Sequence, residues 1–163
     1  MQEEFDAIVV GAGPSGSACA LTMAKAGLSV LLIERGRFPG EKNVSGGVLY
    51  GQVLHQLVPN FWEEAPVERY INRRIISFLS EESGLSIDFK SAKFNQAPYI
   101  GFSILRAKFD RWLAEKAEAA GATLVTELLV ENVVKRDGRV VGVEVAGDKL
   151  FAKVVIAADG VLS

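Results

Sequence analysis

The sequence has 163 residues, 49% hydrophobic and 23% charged, a globular composition and enough chain to bury a core without disulfides or metal. Its net charge of −2, from 18 basic and 20 acidic residues, excludes the basic footprint of a nucleic-acid binder. One cysteine, Cys19, and one histidine, His55, exclude an internal disulfide framework, a cysteine-based zinc site and a histidine-rich metal site, so no metal is expected.

Met1–Glu4 is acidic where a signal peptide is basic. No apolar run approaches the ~20 residues that span a bilayer, and the expected setting is the cytoplasm. Phe5–Val10 reads as a buried strand, followed by a glycine turn and a helix over Ser15–Ala26 that stops at Gly27. Leu28–Ile33 is a second apolar strand that ends at Glu34. Together they predict one βαβ unit with parallel strands. Arg35–Gly51 reads as a loop and Val48–Val58 as a short helix broken by Pro59.

Ile75–Leu79, Leu85–Phe89 and Gly101–Leu105 are weakly patterned strands. Arg106–Ala120 is a helix whose inner face is predicted to carry Phe109, Trp112, Leu113, Lys116, Ala117 and Ala120. After the short strand Ala122–Thr126, Asp137-Gly138 predicts a type I′ hairpin between Val130–Arg136 and Arg139–Ala146. Gly147-Asp148 turns into Leu150–Ala152, and Val154–Ala158 closes the pattern as a fully apolar strand suited to a sheet interior. The expected fold is α/β: a Rossmann-like FAD/NAD(P)-binding domain with an inserted antiparallel β-meander.

Gly11-Ala12-Gly13-Pro14-Ser15-Gly16 is a GxGxxG turn. It follows a strand and opens a helix, the context in which such a turn cradles a pyrophosphate. Gly11 suits the tight turn, Gly13 the approach of the phosphates, and Gly16 the close packing of helix on strand. Pro14 sets φ at the helix start without losing a needed N–H. The backbone amides at Ser15 and beyond face the anion. Glu34, ending the second strand, is placed to accept ribose hydroxyls and to repel a 2′-phosphate, although the adjacent Arg35 softens that repulsion. These features leave NAD and FAD open. Asp159-Gly160, just past the last apolar strand, puts a second polar turn at the same sheet edge and favours the longer cofactor, FAD. The meander over residues 130–152 also departs from the regular βαβ succession of a nicotinamide dehydrogenase. Cys19 reads as a small core residue and His55 as a structural one.

The chain resembles the FAD-dependent oxidoreductases that include FixC, the electron-transfer flavoprotein–quinone oxidoreductases and the geranylgeranyl reductases. The likeness rests on Asp6–Gly16, Glu34-Arg35-Gly36, Pro39–Tyr50, Arg106–Leu113 and Ala158-Asp159-Gly160, and Lys42–Tyr50 is most similar to the FixC branch. The resemblance implies that Gly46 and Gly47 face the flavin and that Arg106 contacts the diphosphate–ribityl region. It further implies that Asp159 binds ribityl hydroxyls beside Gly160 and that the backbone at Val130 meets the adenine edge.

The implied activity is electron movement between an electron-transfer flavoprotein and a quinone or ferredoxin-like acceptor. The implied partners are electron-transfer flavoprotein subunits and a ferredoxin-like protein, with membrane contact only peripheral, through a quinone-linked complex. A geranylgeranyl reductase-like or aromatic hydroxylase-like enzyme, or a non-catalytic dinucleotide-binding fragment, are the alternatives. No acid–base residue is singled out. Members of the family continue past the Asp-Gly turn with a second flavin motif and a substrate or quinone domain. Residues 1–163 are therefore expected to be an FAD-binding domain without the substrate or quinone domain, either a fragment or a piece whose remainder resides elsewhere.

Overall fold

The computed structural model describes residues 5–161; the expectations for Met1–Glu4, Leu162 and Ser163 lie outside them. The chain divides into two compact units, one formed by the residues up to Ser45 together with those from Arg106 onward, the other by Gly46–Leu105.

The first unit is built on a six-stranded sheet. β1 (Phe5–Val10) leads through α1 (Pro14–Lys25) to β2 (Val30–Ile33). α3 (Arg106–Ala119), numbered after a helix of the other unit, precedes β8 (Thr123–Val125). β9 (Val130–Arg136), β10 (Arg139–Val145) and β11 (Asp148–Ala157) complete it, in the order β8-β2-β1-β11-β10-β9. β8, β2, β1 and β11 are mutually parallel, while β10 runs antiparallel to both β9 and β11.

The two hairpin turns carry positive φ at Asp137 and Gly138 and at Ala146 and Gly147, as type I′ turns require. The second turn thus sits one residue earlier than its sequence suggests. The expected pieces Leu150–Ala152 and Val154–Ala158 are one continuous ten-residue strand. Its first part pairs with β10 and the remainder with β1, so a single strand joins the meander to the parallel sheet.

Strand alternation explains the two layers. Ile8, Leu31 and Ile33 face one side, where Val143, Val145 and Ala152 of the meander pack over them in one cluster. Val9, Val30 and Leu32 face the other side, covered by α1 and α3, which pack on each other and on β1, β2 and β8. The main helix packing is on β1, β2 and β8. On β11 Val154 is 53% exposed, although the apolar sequence Val154–Ala158 predicted full burial.

α3 is likewise rotated from its expected face. Its buried residues are Phe109, Asp110, Leu113, Ala114 and Ala117, with Trp112, Lys116 and Ala120 half-buried. The small Ala114 and Ala117 allow the close approach to α1, and the charged Lys116 swings toward the rim.

At the amino edge of the sheet, Asp6 accepts the Ser29 N–H (2.9 Å) and the Lys153 ammonium (2.6 Å), tying β1 to the lead into β2 and to β11. The Lys153 hydrogen bond, then the Ser29 amide, lower the Asp6 pKa below the usual aspartate range. A carboxylate stabilised in the fold contributes above its unfolded pKa of about 3.9 and loses that contribution as pH falls through the lower folded value. Asp6→Asn should therefore be less stable than the parent at neutral pH, with the gap closing in acid. Urea unfolding across that range tests it, and a gap independent of pH would refute the assignment.

The second unit contains β3 (Gly46–Tyr50), β4 (Val67–Tyr70) and β7 (Gly101–Leu105), both outer strands antiparallel to β7. α2 (Gly51–Leu57) packs against them over Phe61, Phe102 and Ile104. Gly46-Gly47 was expected in a loop and Val48–Tyr50 in a helix. Both are strand, because Gly46 to Tyr50 pair residue by residue with Leu105 to Gly101. β4 carried no recognisable pattern. β5 (Arg73–Leu79) and β6 (Gly84–Lys90) form a separate two-stranded ribbon, closed by a bidentate Arg73–Asp88 pair.

His55 accepts the Asn60 N–H at 2.9 Å and stacks on Trp62, a structural role. An open, polar depression lined by Asn72, Arg73, Lys90, Ser91, Ala92 and Asn95 lies on this unit. It includes none of the expected site residues. Among the described residues, no helix is long and apolar enough to cross a membrane.

Candidate functional site: the carboxyl edge of the parallel sheet

Topology gathers the expected residues of the first unit at one edge. β1, β2 and β11 are parallel, so their carboxyl ends, with the Gly11–Gly16 turn, Glu34 and Asp159, lie together. α3 passes through a short turn into the start of β8, itself parallel to β2. Its C-terminus is thus at the amino edge. Fourteen residues at about 1.5 Å each carry its first residue, Arg106, back to the carboxyl edge.

The three glycines of the turn have three different surroundings. Gly11 has φ +99°, and a Cβ there would lie 2.6 Å from the Ala158 carbonyl oxygen and 3.0 Å from Asp159 Cα. The glycine turn and the Asp159-Gly160 turn therefore touch, although they stand at opposite ends of the sequence. A Cβ on Gly16 would lie 1.9 Å from the Gly11 carbonyl oxygen, so the helix meets the strand backbone to backbone. A Cβ on Gly13 would meet nothing within 4 Å. Among the described residues, no atom outside its chain neighbours reserves the space at Gly13.

The helix beginning there is uncapped. Gly13 is its N-cap, no side chain caps it, Pro14 lacks an N–H and the first turn holds no acidic residue. The first intrahelical bond runs from the Ser17 N–H to the Gly13 carbonyl, which leaves the amides of exposed Ser15 and of Gly16 outside the helix ladder. The positive end of the helix dipole is offset by no acidic side chain of the helix's own first turn.

Glu34 supplies the complement. Its Oε2 accepts the Ala12 N–H at 3.1 Å and its Oε1 the Gly36 N–H at 2.7 Å. Two amides fix the rotamer of a half-buried carboxylate beside the glycine turn, and each oxygen keeps lone-pair capacity for a further donor. Arg35 is exposed. The segment leading to Val130 runs alongside: Glu127 donates to the Gly36 carbonyl (2.8 Å) and Leu128 to the Glu34 carbonyl (3.0 Å). Val130 itself starts β9 and packs on the core cluster. Asp159 and Gly160 are exposed at the end of β11, Gly160 with φ +84°. Gly46 and Gly47 belong to the other unit, in β3.

Arg106, which the resemblance implied at the diphosphate–ribityl region, is the first residue of α3. Its Nε and Nη2 donate to Oδ1 and Oδ2 of Asp110, both at 2.8 Å, and Asn43 Nδ2 donates to the same Oδ2 at 3.0 Å. Asp110 is wholly buried and Arg106 30% exposed. The Asp110 carboxylate raises the Arg106 pKa, mainly through the hydrogen bonds, so the guanidinium stays charged. Sequence reading missed Asp110 and Asn43. The signal for Asp110 was present: it lies three, four and seven residues before Leu113, Ala114 and Ala117 on one helix stripe, and four after Arg106.

An ADP-containing cofactor fits this donor set. The unfilled space at Gly13, the uncapped amides and the Ala12-anchored carboxylate offer, in order, room, an anion site and a ribose acceptor.

A family model described as "FAD dependent oxidoreductase" matches residues 6–162. The chain is 50% identical over 162 residues to "Protein FixC" of Salmonella typhi, covering 99% of this chain and 38% of that protein. It is 47% identical over 161 residues to the "Probable electron transfer flavoprotein-quinone oxidoreductase YdiS" of Escherichia coli K12, with the same coverages. Among solved structures, a geranylgeranyl bacteriochlorophyll reductase-like protein of Thermoplasma acidophilum superposes with a TM-score of 0.78 at 30% identity, over 98% of this chain and 40% of that one. The chain thus spans about two-fifths of the length of the relatives it matches.

Proposed function

The chain belongs to the FAD-dependent oxidoreductases, and from that membership we propose that its carboxyl edge holds the ADP half of FAD in an electron-transfer enzyme. The observation that carries the site is the open space at Gly13 between an uncapped helix start and the Glu34 carboxylate. In this reading the amides of Ser15 and Gly16 receive the diphosphate and Glu34 the ribose hydroxyls. Arg106 faces the diphosphate–ribityl region, Asp159 the ribityl hydroxyls and the Val130 backbone the adenine edge. Gly46 and Gly47 approach the flavin. Bound there, FAD would supply exchange of one or two electrons. The protein's part is to hold and orient it.

The reaction we propose moves electrons from an electron-transfer flavoprotein to a quinone or to a ferredoxin-like acceptor. Identities of 50% and 47% to FixC and to a probable electron-transfer flavoprotein–quinone oxidoreductase, each across nearly the whole chain, support it. The 30% identity to a geranylgeranyl reductase-like structure favours the second reading, reduction of prenyl double bonds. The FAD-loaded protein should be bleached anaerobically by reduced electron-transfer flavoprotein and recover its flavin absorbance on adding a water-soluble quinone or oxidised ferredoxin. Bleaching by NADPH alone, with recovery on a prenyl substrate, would replace the first reading by the second.

Glu34→Ala removes the ribose acceptor and leaves the Ala12 and Gly36 amides without their partner. ADP binding should weaken by about 1–3 kcal/mol, the range for hydrogen bonds to a charged group. Calorimetry measures it. A parent protein that preferred 2′-phosphorylated ligands would show that Glu34 is not the ribose residue.

A further inference from the structure

Asp110 is a wholly buried carboxylate on a helix that otherwise packs apolar and small residues against α1. Burying a charge is costly unless it is paired and hydrogen-bonded. Here three donors satisfy it: two from Arg106 and one from Asn43. Arg106 is the first residue of α3, where the helix dipole disfavours a cation. The pair is thus assembled against local preference. It makes sense as a device that holds the guanidinium in one orientation at the carboxyl edge.

The geometry of the pair says what is presented. Arginine has five N–H donors in a planar fork. Asp110 engages the Nε side, taking the Nε–H and one Nη2–H. The opposite side, formed by Nη1 and the second Nη2–H, is turned away from the carboxylate. That fork is the part of arginine that matches phosphate oxygens in a bidentate way. The Asn43 bond ties the loop that follows Glu34 and Gly36 to the same carboxylate oxygen. Gly40 of that loop also packs tightly on the start of α3: a Cβ placed there would lie 3.0 Å from Ala107 Cα, the Arg106 carbonyl oxygen and Asp110 Cβ, closer than ordinary contact.

Resting on the cofactor site proposed above, we infer that Asp110 is a positioning residue that aims the outer fork of Arg106 at the cofactor diphosphate, and that Asn43 couples the ribose-side loop to the same carboxylate. A positioning role and a mere charge role predict opposite signs. The ion pair is close to neutral, so removing the Asp110 charge alone would strengthen attraction to a diphosphate. If Asp110 acts by orientation, Asp110→Asn weakens binding, because an NH2 replaces one of its two acceptor oxygens and the bidentate grip on Arg106 is lost.

The test is calorimetric titration of ADP and of adenosine into the parent protein, Asp110→Asn, Arg106→Lys and Asn43→Ala, with unfolding curves for each. ADP affinity should fall roughly tenfold in Asp110→Asn, about the worth of one hydrogen bond to a charged group. Arg106→Lys keeps the charge, loses the fork and should fall equally. A variant combining Asp110→Asn with Arg106→Lys should be no weaker than either single one, because both remove the same contact. Adenosine, which lacks the diphosphate, should bind all of them alike. Asn43→Ala keeps the ion pair and should weaken ADP several-fold while remaining folded, so it decides the matter if Asp110→Asn unfolds. Stronger or unchanged ADP binding in Asp110→Asn, or unchanged binding in Asn43→Ala, would overturn the inference. A folded parent protein that binds no ADP would instead overturn the cofactor site on which it rests.

Discussion

Gly13→Val should abolish most cofactor binding while leaving the fold in place. The Gly13 backbone is extended, φ −73° and ψ −177°, a conformation valine adopts without strain. A Cβ there meets no protein atom within 4 Å. The fold loses only N-cap quality, where valine is poor and glycine moderate. The ligand meets a branched side chain in the space it must occupy. A steric cost of about 1–3 kcal/mol corresponds to roughly five- to 150-fold weaker ADP binding. Calorimetry reads the affinity, and circular dichroism with thermal unfolding reads the fold. A folded Gly13→Val variant with the parent's ADP affinity would show that the diphosphate does not pass this residue.

Gly16→Ala should do the reverse, damaging the fold first. Its added methyl would lie 1.9 Å from the Gly11 carbonyl oxygen and 3.2 Å from Ala158 Cβ. The carbonyl is backbone, held where Gly11 donates to Ile33 at 2.7 Å, so it has no rotamer into which to retreat. Helix α1 must lift from β1, opening the layer in which Val9, Leu21 and Leu32 are buried. Overpacking of this kind costs about 1–3 kcal/mol, and more where backbone must move. The urea midpoint should drop with the slope unchanged. A midpoint equal to the parent's would mean that helix and strand are not in the contact described. The two glycines stand three residues apart in one motif, yet one change should spare the fold and the other should not.

The first βαβ unit was legible in the sequence because its determinants are local. Val-rich strand, glycine turn, alanine-rich helix and second strand follow one another within reach of short-range signals. The Asp137-Gly138 hairpin was legible for the same reason. What failed depended on distant partners. Gly46-Gly47 looks like loop until Ile104 and Leu105 pair with it, and glycine has no side chain whose alternation would reveal a strand. β11 looked like two strands because its neighbours change from β10 to β1 along its length. The exposure of Val154 was equally hidden, since an apolar run does not say what covers it.

At the site, the residue types were readable and the connections were not. Glu34 was recognisable by position, but its bonds to Ala12 and Gly36 depend on the turn closing over it. Gly11 and Asp159 were each recognisable, but only the parallel pairing of β1 and β11 puts them in contact. Asp110 was overlooked because a charge in a helix is usually solvated. Its place on the apolar stripe with Leu113 and Ala117 was the counter-signal.

We propose that one edge of one sheet holds the ADP half of FAD through Gly13, the start of α1 and Glu34. Competition calorimetry tests it most directly: ADP titrated into the protein, then repeated with FAD present and with ADP carrying a 2′-phosphate. The account predicts one ADP per chain, displacement by FAD, and weaker binding of the 2′-phosphorylated ligand. A folded protein that gives no ADP heat, or that binds the 2′-phosphorylated ligand more tightly, would contradict it.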